Sequence, residues 1–217
     1  MVKMKNKSHI YIYVVSLVLF ILIAIKSYEL FTKREKKSGV EVLSTDIELR
    51  NENDIIFGNP KAELSVIVFG NYSCKFCSKF FKEVLPVLLK EYKDGIKFVL
   101  KPVPFSDTKE EMDALQMAVS VFKYGNYESF HELLLKDSNV IYDKNYQEYI
   151  LEIMNLNQAI ADNFLDDETR LYIERNRSLF KDLKLKGTPT FIVDHKILSG
   201  YLDIKKFEEI INNSLKD

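Results

Sequence analysis

Apolar residues fill nearly every position of Leu64-Ser65-Val66-Ile67-Val68-Phe69, the pattern of a central strand covered on both faces. Ile96–Val103 repeats it, with Pro102 and Pro104 marking the exit, and Phe191-Ile192-Val193 precedes a second short strand around Ile197-Leu198. Asp54-Ile55-Ile56-Phe57 reads as a short opening strand turned by Gly58-Asn59-Pro60. After Ser73 the period becomes helical, with Phe80, Phe81, Val84, Leu85, Leu88 and Leu89 sharing one face as far as Tyr92, and Asp94-Gly95 ending the run. Pro86 lies inside that pattern and is expected to kink the helix by removing the bond to the Lys82 carbonyl.

Residues 107–165 hold no strand-like run. Thr108 and Glu111 form a capping-box signature, and Met112, Leu115, Val119 and Phe122 then line one face before Gly125. Helical segments are expected over Glu128–Lys136, Lys144–Asn155 and Gln158–Leu165, followed by a long amphipathic helix over Asp167–Leu185 and a terminal one over Asp203–Leu215. Strands in both halves with helices between them predict an α/β fold.

The start of the chain is different. Lys3, Lys5 and Lys7 precede an apolar run from Ile10 to Ile25 that Lys26 closes, and no small-residue cleavage site follows. This predicts an uncleaved membrane anchor or signal segment over residues 1–31, a polar tether over 32–53 and a folded domain over 54–217. Lysine and arginine are more numerous beyond the run than before it, which taken alone points the domain to the cytosol. The signal-like order of basic start and apolar core points it outward.

Eight of the 31 Lys and Arg but only two of the 32 Asp and Glu lie in the first 37 residues, which leaves residues 38–217 at a net charge of −7. An acidic domain is a poor nucleic-acid binder. The cluster Lys33-Arg34-Glu35-Lys36-Lys37 suits a solvated stretch beside a membrane.

Both cysteines of the protein lie in Cys74-Lys75-Phe76-Cys77, where the Leu64–Phe69 strand gives way to a helix. Unpaired N–H groups at a helix start favour thiolate, the reactive species, at Cys74. Cys77 falls on the same face, within reach of a disulfide. Zinc is disfavoured, since no second pair exists and His9, His131 and His195 fall at no metal-ligand spacing. A structural disulfide across two residues closes too short a loop to stabilise much. A redox dithiol is the remaining reading, with no metal and no cofactor. His131 and His195, without a partner in sequence, are read as surface or cap histidines, and Tyr72 and Phe76 as a rim able to touch substrate.

Together with Leu185-Lys186-Gly187-Thr188-Pro189-Thr190 ahead of the last two strands, and with Phe57-Gly58-Asn59-Pro60-Lys61-Ala62 upstream, the CxxC resembles the DsbA-like thiol:disulfide oxidoreductases of the bacterial envelope. The resemblance implies a thioredoxin-like fold with a helical subdomain inserted at about residues 107–165, covering the active face. It implies that Cys74 is the nucleophile, that Cys77 resolves, that Pro189 is a cis-proline beside the sulfurs, and that Thr188-Pro189 offers backbone groups to an extended substrate. It also implies thiol-containing exported proteins as substrates, a membrane redox partner linked to quinone, and a domain facing the periplasm or cell exterior.

Three features depart from that pattern. Lys75-Phe76 stands where the best-known DsbA has Pro-His, and Lys75 is expected to favour the Cys74 thiolate. Val68 stands where many relatives bury an acid, and Thr188 resembles isomerase-like members. Four readings stay open: a disulfide oxidase, a reductase or isomerase on the same fold, a binding or chaperone module with an incidental CxxC, and a cytosol-facing thioredoxin-like protein.

Overall fold

The computed structural model describes residue 13 and residues 16–27, 40–42 and 51–215. The chain divides into two units, residues 1–41 and residues 42–217. In the first, residues 16–27 form a helix, α1, with exposed side chains. Among the described residues no helix is long and apolar enough to cross a membrane. The basic start and the Lys33–Lys37 cluster, on which the anchor and its orientation were argued, lie outside them. A three-residue strand, Val40–Val42 (β1), falls within the expected tether.

The second unit is built on β2 (Ile55–Gly58), β3 (Leu64–Gly70), β4 (Ile96–Pro102), β5 (Thr190–Val193) and β6 (Lys196–Ser199). These run in the order β6-β5-β3-β4-β2 across the sheet. β3 pairs parallel with β4, and the other pairings are antiparallel. Val68 sits opposite Leu100 on one side and Phe191 on the other. It is fully buried, as the apolar run predicts.

Each face of the sheet has its own core. On one, Ile67, Phe69, Val99 and Ile192 pack against Leu179 and Phe180 of α8 (Asp167–Asp182). On the other, Phe80, Phe98, Phe191 and Phe207 form a fully buried group of rings with centroids 4.8–6.1 Å apart. Phe207 comes from α9 (Ile204–Ser214). Truncating one such ring to alanine costs about 3–5 kcal/mol, so this layer fixes the helix that carries the cysteines.

That helix has three parts: α2 (Lys75–Lys79), a π-helical turn (Phe80–Val84) and α3 (Leu85–Tyr92). The expected kink takes this form. Pro86 sits in the first turn of α3, where its missing N–H is tolerated, and the chain widens ahead of it so that Leu85 N–H reaches the Phe80 carbonyl. The insert comprises α4 (Lys109–Tyr124), α5 (Tyr127–Lys136), α6 (Lys144–Leu156) and α7 (Gln158–Leu165). Two boundaries differ from expectation. Thr108 precedes α4 but makes no side-chain cap bond, its hydroxyl lying instead 2.9 Å from that of Ser106. α8 stops at Asp182 rather than Leu185: Lys184 turns left-handed at φ 55°, and Leu185 N–H returns to the Phe180 carbonyl at 3.0 Å.

Candidate active site

Cys74 is the N-cap of α2, in extended conformation, and its sulfur accepts the Cys77 N–H at 3.4 Å. The N–H of Cys74 is itself held by the Asn71 carbonyl at 3.2 Å. Across 114 residues, the Cys74 thiol donates to the Thr188 carbonyl at 3.3 Å. The Thr188–Pro189 peptide is cis. Pro189 is tied to the closing hairpin through Gly200 N–H, 2.9 Å from its carbonyl, and Thr190 caps the loop with a 2.6 Å bond to the Gly187 carbonyl.

Both cysteines are free thiols, Cys74 half-buried and Cys77 fully buried. Gly70 admits the Cys77 side chain: a Cβ there would stand 3.7 Å from its sulfur and 3.1 Å from Leu100. The environments push the two thiols apart. The hydrogen bond from the Cys77 thiol, opposed by partial burial and aided by Thr188 and the N–H groups of Cys77 and Phe76, lowers Cys74 to about 5. Burial first, and the neighbouring Cys74 second, push Cys77 well above the ordinary thiol range. Such a pair offers one accessible thiolate and one protected thiol at neutral pH.

The structure brings Cys74, Cys77, Thr188 and Pro189 together. Lys75 and Phe76 point outward, Phe76 being 61 % exposed. Lys75 is not among the groups that lower Cys74, contrary to the sequence expectation; one residue past the N-cap, it faces solvent. Tyr72 is not part of a rim, because it is buried. Its hydroxyl lies 2.5 Å from the Tyr127 hydroxyl and 2.9 Å from His131 Nδ1. His131 is thus a core residue, not a surface one, with Phe57 and Phe81 rings 5.0 Å away, and burial lowers it to about 4. His195 is exposed in the β5–β6 turn, as expected.

Sequence reasoning also missed Asn71 and Glu111, both buried. Glu111 looked like a capping residue. Its carboxylate instead accepts from Asn71 Nδ2 at 2.5 Å, Phe105 N–H at 2.7 Å, Ser106 N–H at 2.9 Å and the Ser106 hydroxyl.

A family model described as Thioredoxin matches residues 50–213. A Rickettsia typhi protein provisionally named a protein-disulfide oxidoreductase is 24% identical over 173 residues, 77% of this chain and 64% of its own length. The chain thus spans less than two thirds of that relative. Disulfide bond formation protein D of Bacillus subtilis is 24% identical over 175 residues, covering 74% of this chain and 77% of that protein. The fold is shared with alpha-DsbA1 of Wolbachia pipientis, with a TM-score of 0.62 at 20% identity over 77% of this chain and 96% of that one.

Proposed function

Since the chain belongs to the thioredoxin family, we propose that it is a membrane-anchored thiol:disulfide oxidoreductase that introduces disulfides into exported proteins. One observation carries the reading. A half-exposed sulfur lowered to about 5 stands beside a buried partner and against the Thr188 carbonyl. The names of the Rickettsia and Bacillus relatives support the same chemistry.

In the oxidising direction the enzyme starts as the Cys74–Cys77 disulfide. A substrate thiolate attacks the Cys74 sulfur, a mixed disulfide forms, and Cys77 leaves and takes up a proton. The second substrate thiolate then attacks the substrate sulfur of that bond. The product disulfide forms and Cys74 departs as thiolate, the two electrons remaining on the enzyme dithiol. A sulfur held as thiolate near pH 5 is a good leaving group, which favours this direction. A membrane partner linked to quinone takes the electrons and restores the disulfide. Thr188 and Pro189 offer main-chain groups to the extended substrate. The apolar run from Ile10 to Ile25 after a basic start is the proposed anchor, with the domain on the outer side of the cytoplasmic membrane.

A glutathione redox titration of the full-length protein tests the direction. The expected potential is above the roughly −270 mV of thioredoxin. A value at or below it makes the protein a reductase, and no reversible exchange leaves a binding module. In cells, Cys77→Ser should accumulate mixed disulfides with exported proteins and Cys74→Ser should not. Equal trapping by both would refute the assignment of roles.

A further inference from the structure

Glu111 belongs to the helical insert, yet its 2 % exposed carboxylate does nothing for its own helix. Four donors converge on it, three from the β4–α4 connection and one, Asn71 Nδ2, from the turn before the dithiol. Among the described residues Glu111 makes no ion pair with any Lys, Arg or His. Its charge is met by neutral donors, an arrangement with strict geometric demands.

Asn71 ties the turn to its surroundings through its side chain and its carbonyl. Its amide also donates to the Val103 carbonyl at 2.7 Å, its side-chain oxygen accepts Ser73 N–H at 2.7 Å, and its carbonyl accepts Cys74 N–H at 3.2 Å. The residue before it, Gly70, packs beside Cys77, whose sulfur would stand 3.7 Å from a Cβ there. One residue therefore holds Cys74 through its main chain, next to the glycine that packs against Cys77, and its side chain is aimed by the carboxylate of another element.

We infer that Glu111 is a positioning residue for the dithiol, fixing Asn71 and, through Asn71, the turn that carries Cys74 and faces Cys77. This rests on the oxidoreductase reading for its purpose, not for its geometry. The insert then takes part in the redox chemistry, through a bond that spans 40 residues from Glu111 to Asn71.

The test compares full-length protein with Glu111→Gln, Asn71→Ala and the double variant. A Gln amide retains one acceptor oxygen and turns N–H bonds toward N–H donors, so Asn71 or the Phe105–Ser106 turn must let go. Two quantities are read: the alkylation rate of reduced Cys74 by iodoacetamide at pH 4, below its titration, and the equilibrium constant of oxidation by glutathione. Each single variant is expected to slow alkylation about tenfold, the effect of one pH unit on a thiolate population. The enzyme should become a weaker oxidant by a similar factor. The double variant should be no worse than Asn71→Ala, since the two act in series. Folded single variants with unchanged alkylation and equilibrium, altered only in melting temperature, would make Glu111 purely structural. Additive losses would also overturn the inference. If Glu111→Gln does not fold, Asn71→Ala decides by the same two readings. Alkylation needs no turnover, so a wild-type protein lacking glutathione exchange would refute the oxidoreductase reading while the positioning role was still decided.

Discussion

The main-chain N–H of Cys77 donates to the Cys74 sulfur at 3.4 Å, and the Cys77 thiol is the largest support of the Cys74 thiolate. The residue proposed to resolve the mixed disulfide is thus also the group that most favours the Cys74 thiolate. Cys77→Ala should raise Cys74 from about 5 toward the ~8.5 of a free cysteine. The N–H groups survive the substitution, so the rise should fall short of that value. Lys75→Gln should leave Cys74 unmoved, because the lysine faces solvent. Thiolate absorbance followed from pH 3 to 10 measures both; an equal shift in the two variants would restore the role first given to Lys75.

His131 is buried neutral, lowered from 6.5 to about 4 by its surroundings, with Tyr72 and Tyr127 as its polar neighbours. Unfolding frees the ring to take a proton below pH ~6.5 while the folded protein refuses it down to about 4. The unfolded state therefore binds more protons in that window, and stability falls as pH drops through it. The loss amounts to up to about 3 kcal/mol. His131→Phe should remove that part of the acid sensitivity, leaving Tyr72 with Tyr127 as its partner. Urea unfolding at pH 7, 5 and 4 measures it, and parallel losses in variant and wild type would contradict the assignment.

On the opposite face of the sheet Lys101 Nζ meets Asp54 Oδ1 at 2.6 Å, both side chains 3 % exposed, and the Tyr172 hydroxyl donates to the same oxygen at 2.8 Å. Lys101→Met strands a buried carboxylate and should cost about 3–5 kcal/mol. Replacing Asp54 by Leu as well should recover part of it. Phe69 and Lys101 are register partners and Gly70, beside Cys77, points the other way. The thiolate titration of Cys74 should therefore be the same in these variants, provided they fold. A displaced titration would mean that strain crosses the sheet.

The dithiol, the Thr188-Pro189 turn and all five strands of the domain were legible because each is written in a local pattern: a continuous apolar run, a turn dipeptide, a pair of cysteines three apart. Glu111 and His131 were not, because their meaning lies in partners 40 and 59 residues away. The Thr-x-x-Glu spacing even pointed the wrong way, since distant Asn71 and the Phe105–Ser106 turn claimed the carboxylate that a capping box would use. The end of α8 was missed for a smaller reason: the left-handed residue is Lys184, where a glycine would have announced the stop. The π turn ahead of Pro86 lay between these cases, its cause visible and its form not.

The unequal burial of the only two cysteines has a practical consequence. A bulky maleimide meets one sulfur on the folded, reduced chain and two on the unfolded one. The second mass increment on a gel then counts unfolded molecules, in a lysate as well as in a cuvette, with no residue of the protein changed.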